Sequence, residues 1–231
     1  MNICADQSER PFVEAAPVAH NTALGSFLQF AGAVCYNFSG ITEESGYPVL
    51  KSALALSGSW EDFFHSAALD SSQLSSELRQ LLHSPEAIRV ALTEYNALFH
   101  APELPVPLWE SVWLSREQIL FTEETSAVRA WYSRFGWEIS RVGYEAEDHI
   151  GLETAFCGWL YDQEIQSVEQ KAEPAGGAEA DFPALRAFLR EHYLRWVPQC
   201  FASLRVRAET SFWKSLLTSA ELLTKILTEN V

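Results

Sequence analysis

The chain has 231 residues, 48% hydrophobic and 13% aromatic, which is enough to bury a substantial core in one large domain or two small ones and too apolar for a disordered protein. Its 16 Lys and Arg against 31 Asp and Glu leave a formal charge of −15, which repels nucleic acid and anionic membrane surfaces and suits a basic partner.

Residues 1–20 carry Pro11 and Pro17 among polar and small residues with no sustained period, so a flexible N-terminal arm is expected there. This start lacks the basic and apolar regions of a signal peptide, and no apolar run nears the roughly 18 residues a bilayer span needs. A cytoplasmic protein without membrane insertion is expected. From Asn21, the spacing of Leu24, Phe27, Leu28, Ala31, Val34, Cys35 and Phe38 predicts an amphipathic helix ending near Ser39 and Gly40. Two shorter helices are predicted over Val49 to Leu56 and Trp60 to Leu69, separated by Ser57-Gly58-Ser59, and another over Ser71 to Leu82. Ser84-Pro85 marks a helix start, since serine caps well and proline is tolerated in the first turn; Ile88, Leu92, Tyr95, Leu98 and Phe99 continue one face to about residue 99.

The three prolines of 100–108 (HAPELPVPL) end that helix in an extended connection. Trp109 and Trp113 follow at i, i+4, then a helix over Glu124 to Phe135 with Gly136 as its C-cap. Glu145 to Leu160 (EAEDHIGLETAFCGWL) reads as a central helix starting near Ala146 and running to about Val168. Its small residues Gly151, Ala155 and Gly158 form a stripe that lets another helix approach its backbone. Glu145, Glu147 and Asp148 crowd the predicted first turn, where the positive end of the helix dipole favours carboxylates. Residues 171–181 (KAEPAGGAEAD) read as a mobile linker. Pro183 opens a helix carrying Leu185, Phe188, Leu189, His192 and Trp196 on one face, Pro198 breaks or kinks it, and a last helix holds Phe212 to Leu227. With no alternating strand and no repeat, the fold class is all-α, a compact multi-helix domain over 21–231.

Sequence signatures of serine hydrolases, zinc proteases and nucleotide enzymes are missing. Enzyme chemistry would have to rest on a metal held by Glu145, Asp148, His149 and Glu153, or on His149 as a general base paired with Asp148. The simpler reading is a polar helix N-terminus, so no enzyme activity, metal or cofactor is expected. His65, His83 and His192 complete no ligand set, and Cys4, Cys35, Cys157 and Cys200 lack paired spacing, so reduced and largely buried thiols are expected. Tyr95, Leu98, Phe99, Trp109 and Trp113 flank the proline-rich connection, where they either fill the core or line a groove for an apolar peptide. Trp109 and Trp113, beside a non-helical segment, are the better groove candidates.

The order PLWESVWL, REQILFTEET, AVRAWYSRFG, EAEDHIGLE and FLREHYLRWVPQCFASLRVRAETSFWKSLL resembles the TorD/DmsD family of cytoplasmic redox-enzyme maturation chaperones over roughly 95–220. WESVW looks most similar to the DmsD branch. The resemblance implies an all-helical TorD-like domain that binds the twin-arginine signal peptide of a molybdenum-cofactor oxidoreductase, of the dimethyl sulfoxide or trimethylamine N-oxide reductase type, until its cofactor is inserted. It also implies a monomer or a helix-swapped dimer. Matched by motif, the family's acid and histidine fall on Asp148 and His149, its groove aromatics on Trp109 and Trp113, and an upstream apolar pair on Leu98 and Phe99. The sequence departs from the family at Ala146, where proline is usual, at Thr122, where glycine is usual, and at Tyr95, where the DmsD branch has tryptophan. Alternatives left open are a helical adaptor for another partner, an enzyme using Asp148 and His149, and a nucleotide-responsive chaperone, the last without a phosphate-binding loop in this sequence.

Overall fold

The computed structural model describes residues 22–44, 47–67, 72–137, 139, 145–171 and 182–229. The expected arm at 1–20 and the expected linker, apart from Lys171 at a helix end, lie outside them. The described residues form α1 (Ala23–Glu43), α2 (Pro48–Ser66), α3 (Ser72–His83), α4 (Pro85–Tyr95), α5 (Glu110–Leu114), α6 (Glu123–Phe135), α7 (Ile150–Lys171), α8 (Pro183–Glu191), α9 (Val197–Arg207) and α10 (Ser211–Glu229). A π-helical turn, Asn96–His100, extends α4, and a 3-10 turn, Tyr193–Arg195, joins α8 to α9. Among the described residues, extended backbone pairing is limited to isolated bridges such as that of Trp109 with His149. The fold is all-α.

The centre is the crossing of α1 and α7, and glycines set how close it is. A Cβ on Gly32 would lie 2.5 Å from the backbone N of Ala155 and O of Gly151, and one on Gly158 2.5 Å from the backbone O of Gly25. The predicted small-residue stripe on α7 thus meets a matching one on α1. Asp162 closes this crossing at its far end, its Oδ1 accepting from the Thr22 hydroxyl at 2.7 Å and its Oδ2 from Gln29 Nε2 at 2.8 Å. Aromatic side chains fill the flanks. Trp60 of α2 stacks on Phe30 at 5.3 Å and donates to Ser26 Oγ at 2.9 Å, while Trp213 of α10 packs against Phe38 and donates to the Ala91 carbonyl of α4.

Three predicted boundaries move. The two short helices at 49–69 are one helix, α2, because Leu50, Ala53, Ser57, Trp60 and Phe64 keep a single buried face across the Ser-Gly-Ser stretch, and Ser57 Oγ is satisfied by the Leu54 carbonyl at 2.9 Å. Helix α1 does not end at Gly40. It kinks at Asn37 (φ −147°, ψ 57°), whose side-chain oxygen accepts from Gly40 N at 3.0 Å and restarts the helix, which runs to Glu43. The break after α8 comes at His192 (φ −127°, ψ −81°), ahead of Pro198, which sits in the first turn of α9. The fourth difference lies in the functional region.

Candidate functional site

Helix α7 begins at Ile150, not near Ala146. Residues 148–150 instead pair in extended form with 108–110: Glu110 N donates to Asp148 O at 3.0 Å and Ile150 N to Leu108 O at 2.8 Å. The acidic residues are therefore not the first turn of α7, and each has a separate partner. Asp148 Oδ2 accepts from Ser111 N at 2.7 Å, so it caps α5, a helix distant in sequence. Glu147 takes Arg129 of α6 in a two-pronged pair at 2.7 and 2.8 Å. Burial pushes the Glu147 carboxyl up, and the bonds from Arg129, a backbone hydrogen bond and the Arg129 charge together more than offset this, leaving it below its ordinary value. Glu145 accepts from the Trp109 indole at 2.9 Å.

His149 is wedged edge-on between Trp109 (centroids 5.6 Å apart) and Tyr36 (5.4 Å). Its Nδ1 accepts from Gly151 N at 3.1 Å, which caps α7 and places the ring proton on Nε2. Burial, helped by His100, lowers its pKa to about 3, so the imidazole is neutral at physiological pH. Glu145, Asp148, His149 and Glu153 point at different partners, and no group of three or more potential ligands could hold a metal ion among the described residues. Cys35, Cys157 and Cys200 are buried thiols, with burial pushing Cys35 up to about 12.

The seven residues singled out from the sequence fall into three layers. Trp109, at the N-cap of α5, and Trp113, within it, are half-buried; Trp113 donates to the Pro107 carbonyl at 2.8 Å and its ring lies 6.5 Å from Trp196. Asp148 and His149 lie beneath, both buried. Tyr95, Leu98 and Phe99 are core residues, with Tyr95 stacked on Phe99 at 5.3 Å and on Trp213 at 5.9 Å. The Tyr95 hydroxyl donates to the Tyr36 carbonyl at 2.7 Å, which ties this core layer to the ring that backs His149.

Sequence reasoning missed two features of this region. Beyond Trp113 the chain exposes Ile119 (55%), Leu120 (37%) and Phe121 (61%), with Gln118 and Phe121 in left-handed conformations (φ 53° and 62°). Three successive apolar residues outside any helical stripe were the available signal. Below α5 lies a second acidic layer of Glu110, Asp148 and Glu153, all fully buried. Glu110 Oε2 meets His192 Nδ1 at 2.9 Å, and its Oε1 lies 3.6 Å from Arg195 Nη1. Burial pushes Glu110 up, and His192 and Arg195 offset only part of the push. Burial, then the charges of Glu110 and Asp148, hold the Glu153 carboxyl well above the ordinary range. One oxygen on each of the three has no hydrogen-bond partner within the described residues.

No helix among the described residues is long and apolar enough to cross a membrane. The family model described as nitrate reductase delta subunit matches residues 67–202, a span that contains Trp109, Trp113, Asp148, His149 and the buried acidic layer but not Tyr36 or Trp213. The chain is 39% identical over 79 residues to the Tat proofreading chaperone DmsD of Salmonella typhi (34% of this chain, 37% of the relative). It is 30% identical over 123 residues to the chaperone protein YcdY of Escherichia coli (53% and 55%), and 27% identical over 136 residues to the perchlorate reductase assembly chaperone protein of Dechloromonas aromatica (55% and 57%). These matches thus span about half or less of the relatives' own lengths. On the family match, the chain belongs to the nitrate reductase delta subunit family, the group of the TorD/DmsD chaperones that its motifs resemble.

Proposed function

We propose that the chain is a cytoplasmic chaperone, not an enzyme, that binds the twin-arginine signal peptide of a molybdenum-cofactor oxidoreductase precursor, of the dimethyl sulfoxide or trimethylamine N-oxide reductase type, and assists its maturation before export. The observation that carries the reading is the α5 shelf: half-buried Trp109 and Trp113 run into the exposed Ile119 to Phe121, over a buried acidic layer, in a chain of charge −15. A twin-arginine signal peptide offers the complement, two guanidinium groups followed by an apolar run. Charge steers the encounter, and burial of the run on the indole rings holds it. Asp148 and His149 act as positioning residues that fix α5 and Trp109, and Tyr95, Leu98 and Phe99 form the floor behind them. An imidazole with a pKa near 3 is too weak a base to favour catalysis at neutral pH. The chaperone names of the relatives, one of them specific to perchlorate reductase, support a redox-enzyme client.

Calorimetric titration with a peptide carrying Arg-Arg and an apolar run tests this. Saturable binding is expected, weakened but not abolished by raised salt. Trp109→Ala should lower affinity by about 2 kcal/mol or more, roughly thirty-fold. Asp148→Asn, which keeps an acceptor for Ser111 N, should stay close to the parent, whereas Asp148→Ala should lose both affinity and stability. Equal affinity in the parent and Trp109→Ala would remove the shelf from the site.

A further inference from the structure

We infer that Glu110 is a guanidinium-accepting site which the chain's own Arg195 covers as a loosely held plug, and that an arginine of an incoming peptide displaces Arg195 from it. The peptide half of this rests on the function proposed above; the site itself rests on geometry. Glu110 is wholly buried at the first position of α5, next to Trp109. One oxygen is engaged by His192 Nδ1 at 2.9 Å, and the other, Oε1, accepts no hydrogen bond from the described residues. That free oxygen faces Arg195, whose Nη1 stands 3.6 Å away, beyond hydrogen-bond reach. The same Nη1 donates instead to the Glu191 carbonyl at 3.0 Å.

Arg129 of α6 and Glu147, one residue before the Asp148 that caps α5, show what a satisfied pair looks like, with two short parallel bonds. A buried carboxylate oxygen without a donor is unfavourable, and a planar guanidinium is the group that supplies paired donors to it, which a lysine ammonium cannot do in the same geometry. Arg195 is 48% exposed, so the way to Glu110 Oε1 leads along its side chain from solvent. Glu124 at the start of α6 also interacts electrostatically with Arg195 and His192, giving a displaced Arg195 a second acidic neighbour. Trp113 stands three residues after Glu110 on α5, and its ring lies 6.5 Å from that of Trp196, the residue that follows Arg195, so apolar surface for the run that follows a peptide's arginines comes from the same two segments.

Because Arg195 is half exposed, Arg195→Gln should fold, and Arg195→Lys, which keeps the charge without the fork, serves as the second variant. Melting temperatures are read in low millimolar methylguanidinium and, for comparison, methylammonium. Methylguanidinium is expected to raise the melting temperature of Arg195→Gln, methylammonium to do nothing, and the double variant Arg195→Gln/Glu110→Gln to respond to neither. In titration, Arg195→Gln should bind an Arg-Arg peptide about three-fold to ten-fold more tightly than the parent, since the internal competitor is gone, with no gain for the Lys-Lys version. An Arg195→Gln protein that responds to methylguanidinium no more than the double variant, with Arg195→Lys behaving alike, overturns the site. A retained methylguanidinium response with no peptide binding by any variant supports the site and overturns the proposed function instead.

Discussion

Replacing Gly32 or Gly151 by alanine is expected to destabilise the protein by about 3 kcal/mol or more, at the upper end of overpacking effects, and so to lower the melting temperature by about 6–12 °C for a chain of this size. An added Cβ on Gly32 meets backbone atoms of α7 at 2.5 Å, and one on Gly151 lies 2.7 Å from the Gly32 carbonyl. Backbone cannot rotate away as a side chain tip does, so the two central helices would have to separate, and the contacts along their crossing would loosen together. Gly58 of α2 gives the opposite sign. A Cβ there meets nothing within 4 Å, and Gly58→Ala should gain about 0.5–1 kcal/mol from helix propensity alone. Thermal melts of the three variants decide the matter; equal shifts for all three would mean that the crossing is not the tight contact described.

Glu153→Gln should change how stability depends on pH. In the folded chain, burial and then the neighbouring charges of Glu110 and Asp148 raise the Glu153 carboxyl well above its ordinary value. Below the unfolded value of about 4.3 both states hold the proton and the group imposes no penalty. As pH rises past it, the unfolded state releases the proton while the folded state retains it, so stability falls by about 1.4 kcal/mol per pH unit until the folded-state value is passed. Glutamine keeps an acceptor for the Trp196 indole, which now donates to Glu153 Oε2 at 3.3 Å, and removes the proton-linked loss. The variant should therefore be the more stable protein at neutral pH, with the difference growing upward from about pH 4. Parallel profiles in denaturant melts between pH 4 and 8 would show that Glu153 ionises freely in the fold.

Local periodicity carries most of this architecture, and the exceptions share one cause. The small-residue stripe on α7 was legible because its spacing needs only one helix, although its partners Gly25 and Gly32 had to come from α1. Trp109 and Trp113 were separable from core aromatics by their position beside prolines, whereas Tyr95, Leu98 and Phe99 show the same apolar spacing whether they line a groove or fill a core. Residues 146–149 looked like a helical first turn because carboxylates are favoured there. Backbone pairing with 108–110, and the cap that Asp148 places on α5, depend on segments distant in the chain, and sequence pattern does not record them. Glu110 is the sharpest case: it passes for an ordinary first-turn acid, and only folding brings it to His192, 82 residues away.

On the function proposed above, a redox-enzyme precursor is held through its twin-arginine signal peptide at the α5 shelf. The most direct measurement is co-purification of the chain from native cytoplasm with its bound molybdoenzyme precursor identified by mass, repeated with the precursor lacking its signal peptide and with Trp109→Ala in the chain. The intact precursor should be retained, and either change should release it. Retention that survives removal of the signal peptide would contradict the proposed function.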